Sequence, residues 1–249
     1  MGIKKVFRLF VIVFLVSFAS FSSFVDSMNR HKPEYNEDII ISDSLNRDVI
    51  EKSVSSSVRI ISTTLPFEDE DITSTSSGTY FEHHGVKYVI TTAHSLLGEC
   101  LGTMIVADDY IFHCNDLTYI DHNKDIGVIQ VENIFNRTPI TTSDMILEDK
   151  DRLKNTGIHE RLIYTGYPQG LGPFTFKGNV VSHGASNGLF FAHSYAWAGS
   201  SGSGVFNSNG KLIGVLTAVS VANTEHGVDV MEDLIIVTSL GMSDFDGIF

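Results

Sequence analysis

Basic residues are scarce. Seventeen Lys and Arg stand against 30 Asp and Glu, a formal net charge of −13. So negative a chain repels phosphate backbones, which excludes non-specific nucleic-acid binding. Cysteine is nearly absent, with only Cys100 and Cys114 in 249 residues. Neither sits in a C-x-x-C pair, so a zinc ribbon or thioredoxin-like site is excluded. Two buried free thiols are the expected state. One disulfide is the alternative, because the pair flanks a hairpin pattern. Ten histidines occur without H-E-x-x-H or similar spacing, so no metal and no cofactor is expected. No internal repeat and no long amphipathic helical period are present. Proline is rare (5) and glycine frequent (21), which suits many tight turns.

One long apolar run exists, after Lys4 and Lys5. A basic start followed by Val6-Phe7-Arg8-Leu9-Phe10 and its apolar continuation is the pattern of a secretory signal. Residues 1–25 are therefore expected to be a signal peptide, or a signal anchor since no clean A-x-A cleavage site follows. Either places the remaining chain outside the cytoplasm, secreted or in the cell envelope, with membrane association through this segment in the second case. Residues 26–48 are polar and acidic without a period and read as a linker or pro-segment. From about Asp48, short runs rich in Val, Ile, Tyr, Phe and Thr alternate with Gly, Asn, Asp and Ser turns. That is an all-β texture. Strands are expected at 57–62, 78–81, 86–91, 103–107, 110–114, 125–131, 162–166, 174–182, 188–193, 204–207, 211–219 and 234–239. A charged stretch near 143–160 separates two groups of strands.

Three patterns fall in a fixed order. Val89-Ile90-Thr91-Thr92-Ala93-His94 delivers a histidine at the end of a strand. Asp125-Ile126-Gly127-Val128-Ile129 leads an aspartate into an apolar strand. Gly199-Ser200-Ser201-Gly202-Ser203-Gly204 frames a serine with glycines. In this order the chain resembles the trypsin-like serine proteases, in particular short-loop bacterial and viral forms such as glutamyl endopeptidases, exfoliative toxins and HtrA protease domains. Ser77-Gly78-Thr79-Tyr80-Phe81, Gly166-Tyr167-Pro168-Gln169-Gly170 and Asn209-Gly210-Lys211-Leu212-Ile213-Gly214-Val215 match as well. The resemblance spans roughly 50–240. It implies two six-stranded antiparallel β-barrels, with the active site in the cleft between them. The first would occupy 49–142, and the connection with the second 143–249.

The resemblance implies a serine endopeptidase whose partner is a polypeptide substrate and which works as a monomer. A serine hydroxyl is a poor nucleophile and needs an adjacent base. Histidine can take its proton and return it to the leaving amine. An aspartate on the far ring nitrogen fixes the tautomer. His94, Asp125 and Ser201 are assigned those roles. The N–H groups of Gly199 and Ser201 are assigned to the oxyanion hole. Ser203 competes with Ser201 but lacks glycine at −2. Asp121 competes with Asp125 but lies in a turn-like Asp-His-Asn-Lys.

Two departures from the family pattern carry information. Ser200 stands where trypsin-like zymogens have an aspartate that pairs with a freed N-terminus, so activation by that insertion is not expected. Leu216 replaces the histidine of glutamyl endopeptidases, which disfavours cleavage after glutamate. Tyr195 to Ala198, including Trp197, form one expected wall of the substrate pocket; Leu216, Thr217, Ala218 and Val219 form the other. With no acidic residue there, a small or medium apolar P1 is expected. Thr217 is expected to support Asp125 through its hydroxyl, and His193 to lie near the cleft. Two rival readings remain: a catalytically inactive protease-like binding module, and a viral or virion-associated processing protease. An HtrA-like protease-chaperone would need a PDZ domain, for which too few residues follow the last strand pattern.

Overall fold

Residue alternation sets the first strand. In β1 (Ser57–Thr63), Val58, Ile60 and Ser62 turn inward and are buried, while Arg59, Ile61 and Thr63 are half-exposed, the period of two that a barrel wall imposes. The computed structural model describes residues 37–64, 72–148, 156–184, 188–224, 227–242 and 245. The leader expected over 1–25 lies outside these residues, as do residues 26–36 of the 26–48 segment. Among the described residues, no helix is long and apolar enough to cross a membrane.

The strands β2 (Thr73–His83), β3 (Val86–Thr91), β4 (Thr103–Ala107), β5 (Tyr110–Asp121) and β6 (Ile126–Val131) join β1 in the order β1-β4-β5-β6-β3-β2. Pairing of β1 with β2 closes this six-stranded antiparallel barrel. A two-residue strand, β7 (Ile140–Thr141), adds to β2 in parallel. The second barrel comprises β8 (Arg161–Gly166), β9 (Phe174–His183), β10 (Leu189–His193), β11 (Gly204–Asn207), β12 (Leu212–Thr224) and β13 (Gly227–Ser239). It closes in the order β10-β13-β12-β11-β8-β9. Both barrels lie in one compact unit, Ser44–Phe249. Each has its own apolar centre, around Ile60, Val89 and Ile129 in the first and Tyr164, Phe190 and Val237 in the second. A third cluster lies between them, where Phe81, Ile90 and Ile126 meet Ile163, Phe206 and Val215.

Three features differ from the sequence reading. A 20-residue helix, α1 (Glu37–Ser56), stands where a linker and no long helix were expected. Its buried positions 49, 53 and 56 fall on one face, but two of them are serines, so no apolar stripe marks the helix in sequence. Ser53 Oγ donates to Thr165 Oγ1 at 2.8 Å and Ser56 Oγ donates to Lys52 O at 2.8 Å, which satisfies both hydroxyls away from water. Second, β12 and β13 run on beyond the expected 219 and 234 as a two-stranded ribbon, pairing through Thr224 and Gly227. Third, Cys100 and Cys114 are not free thiols. They form a disulfide with Cα atoms 5.1 Å apart, joining the segment after His94 to β5.

Candidate active site

His94 leaves β3 in a single 3-10 turn, Ala93–Ser95, in which Leu96 N–H closes on Ala93 O at 3.1 Å. The turn is fastened beneath by a buried bond between Thr92 and Ser95 hydroxyls at 2.6 Å. Gly127 lets this turn pack closely on β6, since a Cβ there would stand 2.7 Å from Leu96 Cδ1 and push that side chain aside. Asp125 precedes β6 with φ of +55°, a left-handed conformation that aspartate tolerates better than most residues. Its Oδ2 lies 2.6 Å from His94 Nδ1, and its Oδ1 accepts His94 N–H at 2.8 Å. An ionised carboxylate only accepts, so Nδ1 carries a proton, and in the neutral ring that leaves the lone pair on Nε2. Asp121 is committed elsewhere. Its Oδ1 accepts the N–H groups of Asn123 and Lys124. Burial raises its pKa, but those bonds and one from Tyr119 outweigh burial and hold it below the usual carboxylate value.

Between β10 and β11 the chain makes the glycine turn. Gly199 and Gly202 have φ of +94° and +90°, open to glycine alone at little cost. Three successive carbonyls of the turn are held. Ala198 O accepts Gln169 N–H at 2.6 Å. Gly199 O accepts Ser77 Oγ–H at 2.7 Å. Ser200 O accepts the Ser203 hydroxyl at 2.7 Å and Ser203 N–H at 3.1 Å. In a trans peptide the N–H points opposite its C=O. Pinning Ala198 O and Ser200 O therefore aims the N–H groups of Gly199 and Ser201 the other way, and neither donates to any group among the described residues. Two unused donors at one turn are what an oxyanion needs. Ser203 is fully buried with its hydroxyl engaged, whereas Ser201 is partly exposed.

His94, Asp125 and Ser201 line one cleft of about 460 Å³, together with Ala196, Trp197, Ala198, Leu216, Thr217 and Val219. No hydrogen bond joins Ser201 to His94, a looseness usual where no substrate is bound. Trp197 packs on Phe176, with centroids 5.7 Å apart, as a wall of the cleft. Ala196 and Ala198 complete that wall. Tyr195 does not line the cleft; it stacks on Trp197 from outside and faces a separate pocket with Arg161, Lys177 and His193. His193 is thus also away from the cleft, 3.9 Å from Asp233. Ala218 lies in β12 opposite Ile236. The Thr217 hydroxyl does not reach Asp125. It donates to Ile236 O at 3.1 Å, because a bulge between Leu216 and Ala218 turns it toward β13. Thr238 acts near Asp125 instead, donating to Lys124 O at 3.0 Å. Ser77, Gln169 and Ser203 frame the turn without having been singled out for it; Ser77 and Gln169 lay in patterns quoted for the resemblance, and Ser203 was weighed only as a rival nucleophile.

A family model described as a trypsin-like peptidase domain matches residues 76–215, more than half of the chain. No curated protein matches the sequence. Among solved structures, the active form of the Rv3671c protease from M. tuberculosis is similar, with a TM-score of 0.58 and 16% identity over 80% of this chain and 82% of that one. An inactive serine-to-alanine mutant of Rv3671c gives 0.56 and 16%, over 80% of this chain and 88% of that one. At such identity the likeness speaks for the fold.

Proposed function

The chain belongs to the trypsin-like peptidase domain family, and from that premise we propose that it is a serine endopeptidase acting through Ser201, His94 and Asp125. The observation that carries this reading is the shared cleft, in which the bonded His94–Asp125 pair faces Ser201 beside two unused backbone donors. Ser201 Oγ attacks the scissile carbonyl carbon while His94 Nε2 takes its proton. The carbonyl π pair moves onto oxygen, which settles against the N–H groups of Gly199 and Ser201. Collapse breaks the C–N bond, and the proton on Nε2 goes to the leaving amine. Water then enters by the same route and releases the acid. Asp125 stays ionised throughout and stabilises the imidazolium. Each backbone donor contributes about 3–4 kcal/mol to lowering the barrier.

The walls of Ala196, Trp197, Ala198, Leu216 and Val219 support a small or medium apolar P1. Beyond Leu216, which still exchanges bonds with Gly202 and Ser203, β12 pairs among the described residues only with β13, so its outer edge over 217–219 is open to an added substrate strand. The Cys100–Cys114 disulfide supports an oxidising compartment and therefore export. The test is fluorophosphonate labelling of the full chain, read by mass spectrometry, beside peptide-library profiling. Label on the peptide containing Ser201, lost in Ser201→Ala together with cleavage, is the expected result. A wild-type chain that stays unlabelled would return the protein to the class of inactive binding modules.

A further inference from the structure

The oxyanion turn belongs to the second barrel, yet the brace on its central carbonyl comes from the first. Ser77 lies on β2 and is fully buried. All of its polar groups are used. Its N–H donates to Ser201 O at 2.8 Å, its carbonyl accepts Thr91 Oγ1 at 2.7 Å, its hydroxyl donates to Gly199 O at 2.7 Å, and the same oxygen accepts Tyr167 N–H at 2.8 Å. Two of these bonds hold the turn on either side of Ser200. The side chain of Ser200 offers the turn little anchorage. Its neutral hydroxyl accepts only a long bond, 3.4 Å, from Trp197 N–H. The acid that would tie this turn to a chain terminus in trypsin-like zymogens is missing.

We propose that Ser77 is a positioning residue, a buried hydroxyl that takes over the bracing of the oxyanion turn and does so across the interface between the barrels. This rests on the endopeptidase reading above. The mechanism is geometric. With Gly199 O held by Ser77 and Ser200 N–H held by Trp197 O at 2.9 Å, the peptide between Gly199 and Ser200 has one orientation. The peptides on either side inherit theirs from it, and these carry the two donors. Without the hydroxyl this central peptide keeps only its bond to Trp197 O, and Gly199, with its wide conformational range, offers little resistance to its tilting. The space is cut to a serine. A Cβ at Gly166 would stand 2.9 Å from Ser77 Oγ, and one at Gly202 would overlap the Ser77 carbonyl.

The neighbouring Ser76 supplies an internal control. It is on the same strand and also buried, but its hydroxyl has no partner. In Ser77→Ala, kcat is expected to fall at least ~10-fold with KM nearly unchanged, part of the loss that follows removal of an oxyanion donor outright. The inhibition constant of a peptide aldehyde, whose hemiacetal oxygen occupies the hole, should rise by the same factor. Ser76→Ala should leave both at wild-type values. A Ser77→Ala protein with wild-type kcat, a loss confined to KM, or an equal loss in Ser76→Ala would each overturn the proposal. Should Ser77→Ala be unfolded at the assay temperature, variant and wild type are compared below the variant's melting temperature, and the same fall in kcat is required there. A wild-type chain inert to substrate and label sinks the endopeptidase reading and this inference together. An active wild type with an equally active Ser77→Ala sinks this inference alone.

Discussion

Ser201 and Ser203 are two positions apart and differ in everything that matters to a nucleophile. The Ser203 hydroxyl is buried and donates to Ser200 O, while that of Ser201 faces the cleft. Ser203→Ala should therefore still take up fluorophosphonate at Ser201, at a reduced rate because one hold on the turn is gone, while Ser201→Ala should not be labelled at all. Asp125→Asn keeps the contact but changes what Nδ1 can bond to, and kcat should fall about 10⁴-fold in steady-state assays. That these three residues would share one cleft was legible in the sequence because local context marks them: a glycine two before Ser201, a strand end at His94, a strand start at Asp125. Ser77 was not, because its partner Gly199 lies 122 positions away and a serine in a polar run carries no sign of it. The error at Thr217 has a similar origin. A bulge between Leu216 and Ala218, invisible in the alternation of residues, accompanies a hydroxyl bonded to Ile236 O rather than to Asp125.

The strands of both barrels were readable from alternation and turn residues, whereas α1 was not. Its inward face is built partly from serines that are satisfied by Lys52 O and Thr165, so hydropathy has no period to show. Charge completes its docking. Lys52 Nζ and Lys211 Nζ each lie 2.9 Å from Asp144, one on each carboxylate oxygen, and Lys52 also donates to Gly210 O. Burial works against the Asp144 carboxylate, but the bonds from Lys211 and Lys52 outweigh it and hold its pKa below the ordinary value. A carboxyl depressed in the folded state contributes stability above its unfolded pKa of about 3.9 and loses that contribution as the pH falls through the folded pKa. Asp144→Asn should accordingly lower the melting temperature at neutral pH and make it less sensitive to acid below about pH 5. Calorimetry across that range checks the sign. A wild-type acid limb in the variant would show that the pair of lysines does not hold the helix.

Within the compact unit Ser44–Phe249, two barrels are joined through a shared apolar cluster, and the disulfide is the only covalent link between distant positions among the described residues. The sequence order of His94, Asp125 and Ser201 implied the two barrels, but the cluster between them joins residues such as Ile90 and Phe206 that no local pattern pairs. Closing a loop of 14 residues stabilises the fold by about 3 kcal/mol in the chain-entropy account, so Cys114→Ser should lower the urea midpoint accordingly. The bond from Ser77 N–H to Ser201 O has another kind of consequence. It bolts the barrels together through the peptide of Ser201. On the endopeptidase reading proposed above, barrels that part take the site apart at the same seam, so a molecule open enough to be digested by its neighbours is one that no longer digests. Self-destruction is then limited by design of the joint rather than by an inhibitor. In a urea series, hydrolysis of a small reporter peptide should cease at a lower concentration than the loss of β-sheet signal in circular dichroism.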